Sequence, residues 1–241
     1  MIILAQTNMS FKKPFLILLI FFCLPECFAQ ETVEKKNRLT DNVTERFTVL
    51  KSNEQVKDGL YQALYKRKTA VASGKFTNGK KTGMWYFYDP KGAVIQTYDY
   101  TKDSLIYEAR EDTTSDFRYL IDKVITDTDR VTKPMKAGGR YYGYLPYLGL
   151  YKTTFDPYMY GTGGYVAAIE LLISPLGRLA SYKVRLVSVW SGDFDQTTNM
   201  DIKLFKEEDR KFIPATFNGE PILSRIVIKC RLNTSGGLEF F

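Results

Sequence analysis

The side chains of this sequence can perform only a limited range of chemistry, because histidine is absent from all 241 residues. Without an imidazole, the chain cannot form a Ser-His-Asp or Cys-His catalytic group or a zinc site that uses histidine. Acid–base catalysis by imidazole is excluded as well. We therefore predict a protein that is not an enzyme, with no catalytic, metal-binding or cofactor-binding residues. The alternative left open is an enzyme of unfamiliar type that uses carboxylates and tyrosines.

Cys230 and two groups of carboxylates are the other reactive side chains, and each has a structural explanation. Cys230 falls on the apolar face of a predicted strand, where burial keeps a thiol inert. The carboxylates at 207–209, or the pair Asp193 and Asp195, could serve glycoside hydrolysis. Their predicted places, a helix end and a turn, favour solvated charge or helix capping.

Two further patterns could indicate ligand binding. The glycine-rich stretch 161–164 could form a phosphate loop, but no Lys-Ser/Thr follows it and it precedes a strand instead of opening a helix. We expect a flexible turn there. Trp85 and its aromatic neighbours could form a carbohydrate platform, although a core position within a β-meander is the favoured interpretation.

The N-terminus has the layout of an export signal. Lys12 lies before an apolar run at 14–24, and a small-x-small pattern ends at Ala29. This order is typical of a cleaved secretory signal peptide covering residues 1–29. The apolar run is about half as long as a membrane-spanning helix requires, and the glutamate before Cys27 does not suit a lipoprotein signal. We predict an exported protein, periplasmic or associated with the cell envelope, with an uncleaved anchor or lipidation as the alternative.

Charge and cysteine content limit what the remaining chain can be. The formal net charge is +7. Removal of residues 1–29 leaves Cys230 as the last cysteine, so no intramolecular disulfide can form and the fold depends on core packing. A basic balance is compatible with nucleic acid, anionic lipid or simple solubility. No arginine-aromatic motif for nucleic acid is present, so we expect solubility or the anionic envelope surface to be the reason.

The first half of the chain has the pattern of short antiparallel strands. Residues 30–57 are charged and polar, and we interpret them as a linker or a short lead-in strand. From residue 58 onward, turn signals such as Asn78-Gly79 separate apolar runs. Strands are predicted at 60–65, 71–76, 84–88 and 93–100. The short connections predict an antiparallel β-meander over 58–110.

Two segments have helical spacing instead. Apolar residues at positions 117, 120, 121 and 124 predict a short helix within 115–126, as part of a helix and connecting loop at 111–139. In 195–210, Met200, Leu204 and Phe205 predict one buried helical stripe.

The last clear strand, 222–232, alternates between two faces. Ile226, Ile228 and Cys230 belong to a face on which five of six residues are apolar, so we expect that face to be buried. The opposite face carries Leu223, Arg225, Val227, Lys229 and Arg231. Three positive charges among those five positions are typical of an edge strand or a solvent-facing strand.

Residues 58–100 resemble a known family of repeats. The segments that carry the resemblance are Gly74-Lys75-Phe76, Asn78-Gly79-Lys80-Lys81 and Gly83-Met84-Trp85. The spacing of glycine and aromatic residues in these segments resembles that of the MORN-like repeats of exported bacterial proteins. The stretch is long enough for two repeats at most. The resemblance implies β-hairpins that act as a scaffold.

Residues 165–233 also resemble a known family. The strongest match is 212–222, which reads Phe-Ile-Pro-Ala-Thr-Phe-Asn-Gly-Glu-Pro-Ile, and the strand–turn–strand around Gly177 also fits. Together these segments resemble a TonB C-terminal domain. The resemblance implies an α+β domain over 140–241, with a helix packed on a small antiparallel sheet. In that family, the sheet edge accepts an extended peptide as an added strand. The matching edge here is 223–231.

These expectations combine into one prediction of fold and function. We expect an α+β chain, with a β-meander followed by a helix-on-sheet domain, that acts as an exported, non-catalytic interaction protein. It would bind a protein or peptide partner by strand addition at the C-terminal domain, and Arg225, Lys229 and Arg231 favour an acidic partner. No small-molecule substrate or nucleic acid is expected. The alternatives are an envelope component that dimerises through the same edge, and an anchored TonB-type energy transducer, although the nine prolines form no long spacer.

Overall fold

The N-terminal half of the chain forms a seven-stranded antiparallel meander, in which each strand pairs with the next one along the sequence. Its strands are β1 (Thr32–Arg38), β2 (Val43–Leu50), β3 (Asn53–Tyr65), β4 (Thr69–Thr77), β5 (Lys80–Tyr88), β6 (Val94–Asp99) and β7 (Ser104–Glu108). The structure is a computed structural model that describes residues 31–153, 165–189 and 194–241. The predicted signal peptide at 1–29, the glycine-rich stretch 161–164 and Asp193 lie outside the described residues.

The meander begins earlier than the sequence predicted. Of the two interpretations of residues 30–57, a linker or a short lead-in strand, the structure has strands, because these residues supply β1, β2 and the start of β3. Glu45 lies at a buried position of β2 with its side chain only 6 % exposed, and its Oε2 accepts a hydrogen bond from Nζ of Lys57 at 3.0 Å. Because Glu45 is charged, the buried face of β2 does not show the apolar alternation by which a strand is recognised in a sequence. Lys57, which neutralises Glu45, comes twelve residues later.

The tight turn between β4 and β5 has the backbone conformation that its sequence indicates. Asn78 and Gly79 have φ values of +47° and +79°. Positive φ at both central residues is what a type I′ hairpin turn requires, and its twist matches that of the flanking strands.

The C-terminal half forms a second antiparallel sheet. Its strands are β8 (Phe117–Ile121), β9 (Tyr165–Ile173), β10 (Leu179–Ser188), β11 (Phe194–Met200), β14 (Ser224–Leu232) and β15 (Leu238–Glu239). The order is β11-β10-β9-β14, and both β8 and β15 pair along the other side of β14. A separate hairpin consists of β12 (Ala215–Phe217) and β13 (Glu220–Ile222).

Both predicted helices are wrong, and the described residues contain a single α-helix, α1 (Leu145–Leu148). The segment 115–126 contains strand β8 instead. Phe117 is buried within it, whereas Leu120 and Val124 are 48 % and 89 % exposed, so the period is two and not 3.6. In 195–210, β11 is followed by two 3-10 turns, at Ile202–Leu204 and Glu207–Arg210.

The antiparallel, sheet-rich character of the prediction is confirmed, and the helix-on-sheet arrangement is not found. Residues 32–241 form one compact unit. The two sheets share one hydrophobic core, so no core boundary falls at residues 110 or 140.

An aromatic segment at 141–148 connects the two halves of that core. The ring of Tyr142 stacks on Phe87 of the meander, with centroids 5.7 Å apart. The ring of Tyr144 packs edge-on against Phe117 of the second sheet at 5.1 Å. Because aromatic side chains bury large areas, these contacts make each sheet depend on the other.

Candidate binding surfaces

Strand β14, the predicted docking edge, is an interior strand of the second sheet. Residues 224–230 pair with β9 on one side, and residues 224–228 pair with β8 on the other. Residues 231–232 pair with β15. The prediction that 223–231 forms an open edge is therefore wrong for the paired residues, because the strand that covers this side was predicted as a helix.

The predicted partner-binding side chains nevertheless share a surface. Arg225, Val227, Lys229 and Arg231 alternate along β14 with the buried residues and lie on the face of the sheet that is turned away from the core. Leu223 precedes the strand and is 42 % exposed. The sequence identified a solvent-facing row correctly, but this row belongs to a sheet face and not to a sheet edge.

Neighbouring strands extend this row into a basic surface. The pairing register places Arg118 of β8 opposite Val227 and places Lys183 of β10 opposite Glu170 of β9. We call the following six side chains the basic face: Arg118, Lys183, Arg185, Arg225, Lys229 and Arg231. Glu170 is the one carboxylate at the outward positions of β8, β9, β10 and β14. The fixed charge of these four strands is strongly positive on this side.

Glu170 lies at the centre of the basic face, and two arginines of that face neutralise its charge. Its Oε2 lies 2.8 Å from Nη2 of Arg185, and its Oε1 lies 3.2 Å from Nε of Arg225. Arg231 is paired with Glu239 of β15 at 3.2 Å. Arg118, Lys183 and Lys229 form no ion pair in the part of the chain that the structure describes. The basic face therefore offers unpaired cations to solvent.

Apolar side chains lie between these cations. The half-buried outward positions are Val166, Ala168, Leu172, Val187 and Val227. A surface of this kind combines long-range attraction for acidic groups with apolar area that a partner can cover.

Cys230 is held in its unreactive thiol form in the folded protein. Its side chain is fully buried, as predicted, and the burial raises the pKa of the thiol well above its usual value. The thiolate, which is the reactive form, is therefore disfavoured.

Trp85 and the carboxylates 207–209 have structural roles in this fold. Trp85 is fully buried beside Tyr61 and Phe76, so it forms no exposed carbohydrate platform. Glu207 pairs with Arg178 and Arg210, and Glu208 pairs with Lys81. The described residues contain no group of three or more Cys, Asp or Glu placed to hold a metal ion. In the same residues no helix has the length and hydropathy needed to cross a bilayer.

A cleft of about 930 Å³ lies between the meander, the 136–146 segment and the residues before β12. Inside it, the hydroxyl oxygens of Tyr61 and Tyr142 are 2.7 Å apart. Burial raises the pKa of Tyr142 to about 12, although the charge of Lys81 opposes this shift. The lining residues come from positions 37 to 214, so no local motif could reveal the cleft.

Lys136 forms part of the wall of this cleft. Its ammonium donates hydrogen bonds to the main-chain oxygens of Glu208 and Asp209 at 3.0 and 2.9 Å. Burial lowers the pKa of Lys136 to about 8, against the opposing charge of Asp209. A buried charge is tolerated only where hydrogen bonds compensate for the loss of contact with water. The hydrogen bonds of the Lys136 ammonium provide this compensation, and they also hold the 207–211 segment in place.

Lys81 binds the same segment from the meander. Its Nζ lies 3.0 Å from Oε2 of Glu208. Partial burial acts to raise the pKa of Glu208, but the charge and hydrogen bond of Lys81 outweigh it, so the pKa is lowered. The pair links strand β5 to a turn that leads into β12.

The resemblances to MORN-like repeats and to TonB C-terminal domains remain predictions. In comparisons with protein families, curated proteins and solved structures, nothing matches this chain.

Proposed function

We propose that this chain is a non-catalytic binding protein that docks an acidic protein or peptide partner on the basic face of its second sheet. The observation that carries the proposal is the charge of that face, where six basic side chains surround one carboxylate, Glu170. Two of the six already neutralise Glu170, and Arg231 pairs with Glu239 of β15. The remaining positive charge is accessible to a partner.

The physical chemistry of such a face favours fast and salt-dependent association. Clustered charge of one sign raises the encounter rate with an oppositely charged partner, and dissolved salt weakens the effect. The interleaved apolar positions, including Val187 and Val227, supply area that is removed from water on docking. The main-chain groups of β14 are hydrogen-bonded to neighbouring strands and cannot bind a partner. Affinity therefore comes from the side chains of the basic face.

The setting in the cell envelope is part of the proposal. It is supported by the charged flank, apolar run and small-x-small pattern of residues 1–29. An anionic envelope would present the acidic groups that the basic face selects. The MORN-like resemblance of 58–100 is consistent with a scaffold role for the meander.

Strand addition is a second binding mode, and one observation favours it. Strand β11 lies at the end of the second sheet's strand order. Its outer side could therefore accept an extended peptide or a second copy of the chain. This edge replaces β14 in the TonB-like interpretation.

Titration of the protein with a labelled oligoglutamate peptide tests the proposal. The double variant Lys183→Gln/Lys229→Gln removes two unpaired charges of the basic face, and we expect the affinity to fall about tenfold and the salt dependence to become weaker. The matched control Lys68→Gln/Lys123→Gln removes two exposed lysines elsewhere and should leave the affinity unchanged. Equal losses in both double variants would contradict a specific basic face.

A modified peptide distinguishes the two modes. An oligoglutamate with alternate N-methyl groups cannot form a β-ladder, but it keeps its charge. Retained binding supports docking on the basic face, and lost binding favours strand addition at β11 instead.

A further inference from the structure

The cleft between the meander and the 206–214 segment has an excess of positive charge. Among the side chains that line it, seven are basic and four are acidic. Such an excess in a concave site concentrates anions, because the low-dielectric walls focus the field.

The acidic side chains in the cleft are already satisfied by the protein. Glu45 pairs with Lys57 at 3.0 Å, and Glu208 pairs with Lys81 at 3.0 Å. The carboxylate of Asp103 accepts a hydrogen bond from the hydroxyl of Tyr98 at 2.6 Å. Asp209 lies close enough to Lys136 and Lys81 for both charges to act on its carboxylate. A cationic ligand would therefore have to break existing contacts.

Three basic side chains in the cleft are not satisfied in this way. Lys80, Lys206 and Lys211 are exposed and form no ion pair within the described ranges. They come from the meander and from both ends of the Glu207–Arg210 turn, which Lys81 and Lys136 hold in place. Their relative positions are thus set by buried contacts, although the side chains themselves reach solvent.

Tyr100 supplies a further polar group without a protein partner. Its ring is 4.9 Å from that of Tyr98 and lies 5.2 Å from Nζ of Lys81. Its hydroxyl forms no hydrogen bond to the described part of the chain. Burial raises the pKa of this hydroxyl well above its usual value, so it stays protonated and can donate.

We propose that the cleft binds a small multivalent anion bearing phosphate or carboxylate groups. Lys80, Lys206 and Lys211 would pair with its charges, and the hydroxyl of Tyr100 would donate a hydrogen bond to it. The ligand is bound and not converted. This site is separate from the basic face, because none of the six basic-face residues lines the cleft. The inference does not rest on the proposed docking function.

Calorimetric titration of the full mature chain with pyrophosphate and with citrate, at constant ionic strength, tests the proposal. We expect saturable binding of at least one anion, and the preferred probe identifies phosphate or carboxylate as the recognised group. The triple variant Lys80→Gln/Lys206→Gln/Lys211→Gln should weaken binding at least tenfold, because hydrogen bonds to charged groups are the strong ones. The control Lys68→Gln/Lys91→Gln/Lys123→Gln has the same net charge and should bind as the unmodified protein does.

Two further variants complete the test. Tyr100→Phe removes only the free hydroxyl, so it should weaken binding several-fold while leaving the melting temperature unchanged. The basic-face variant Lys183→Gln/Lys229→Gln should leave anion binding intact, which separates this inference from the docking proposal. No saturable binding of either anion, or equal weakening by the control triple variant, would overturn it.

Discussion

Gln96 shows how a single buried side chain can position a segment. Its side-chain oxygen accepts hydrogen bonds from the main-chain N–H groups of Gly138 and Gly139, each at 2.8 Å. Its nitrogen donates to the carbonyl of Lys136 at 3.0 Å and to Glu108 at 2.8 Å. All four hydrogen-bonding positions of the amide are used. The segment that forms one wall of the cleft is therefore fixed to strand β6.

Lys136 should make stability depend on pH, with a sign set by its lowered pKa. Its pKa is about 8 in the folded protein and about 10.4 in an unfolded chain. Between these values the unfolded state binds more protons, so the contribution of this residue to the free energy of unfolding increases as pH rises. Cys230 and the buried tyrosines act in the opposite direction at high pH, because burial raises their pKa values.

The difference between the unmodified protein and Lys136→Met isolates this contribution, since the other groups are present in both. We expect the difference in the free energy of unfolding to grow by roughly 2 kcal/mol between about pH 8 and pH 10. Urea titrations at half-unit pH intervals measure it. A constant difference would mean that the carbonyls of Glu208 and Asp209 keep the ammonium charged throughout.

Gly74 is a second residue whose identity is set by one neighbour. A Cβ at this position would overlap the indole ring of Trp85. That ring is enclosed by Tyr61 and Phe76 and is fully buried, so it cannot move aside. The close approach of backbone to ring requires glycine here.

Gly74→Ala should therefore destabilise the protein by about 1 to 3 kcal/mol, the usual cost of an overpacked core. Gly149→Ala is the matched control, because the nearest atom to its new Cβ is a carbonyl oxygen at 4.0 Å. Chemical denaturation of both variants measures the difference. Similar stabilities for the two would show that Trp85 can shift.

At the scale of elements, strand β14 explains both a success and a failure of the sequence interpretation. The alternation over 222–232 correctly predicted that Ile226, Ile228 and Cys230 are buried. A half-exposed interior strand and an edge strand share that alternation, because both have one solvated face. Whether β14 is an interior strand or an edge strand depends on whether 115–126 forms a strand that pairs with it. The apolar residues of 115–126 fit a helix as well as a strand, so the sequence could not decide this.

Hairpins with local turn signals were predictable, and features that join distant residues were not. Asn78-Gly79 determines its own turn, whereas Glu45 is acceptable in β2 only because Lys57 reaches it from β3. The basic face was predicted in part, through Arg225, Lys229 and Arg231. Its other members lie on β8 and β10 and become neighbours only through strand pairing.

Val227→Pro tests whether β14 is an interior strand. Val227 pairs with Arg118 on one side and Glu170 on the other, so proline removes a ladder hydrogen bond and leaves a buried carbonyl without a donor. The orphaned carbonyl alone should cost about 1 to 3 kcal/mol. Val227→Thr keeps the N–H and the branched shape, and it should cost much less. Thermal unfolding of the two variants compares them, and equal melting temperatures would contradict the pairing on both sides.

At the scale of the whole molecule, the two sheets are halves of a single folding unit. The C-terminal sheet obtains strand β8 from before residue 140, and its inner face is covered by a core that includes rings from the meander. Tyr142 and Tyr144 divide their packing between Phe87 and Phe117. Neither half buries its own core completely, and a small domain has little stability to lose.

The fragment 140–241, which the TonB resemblance would treat as a domain, should therefore fail to fold alone. It lacks β8, which leaves one side of β14 unpaired, and it lacks the meander residues that cover Tyr142. We expect poorly dispersed amide NMR signals and no cooperative urea transition for the fragment, whereas the chain from residue 30 onward should unfold in one transition. A fragment with dispersed signals and its own cooperative transition would show two independent domains, and the shared aromatic core would then be an interface between them.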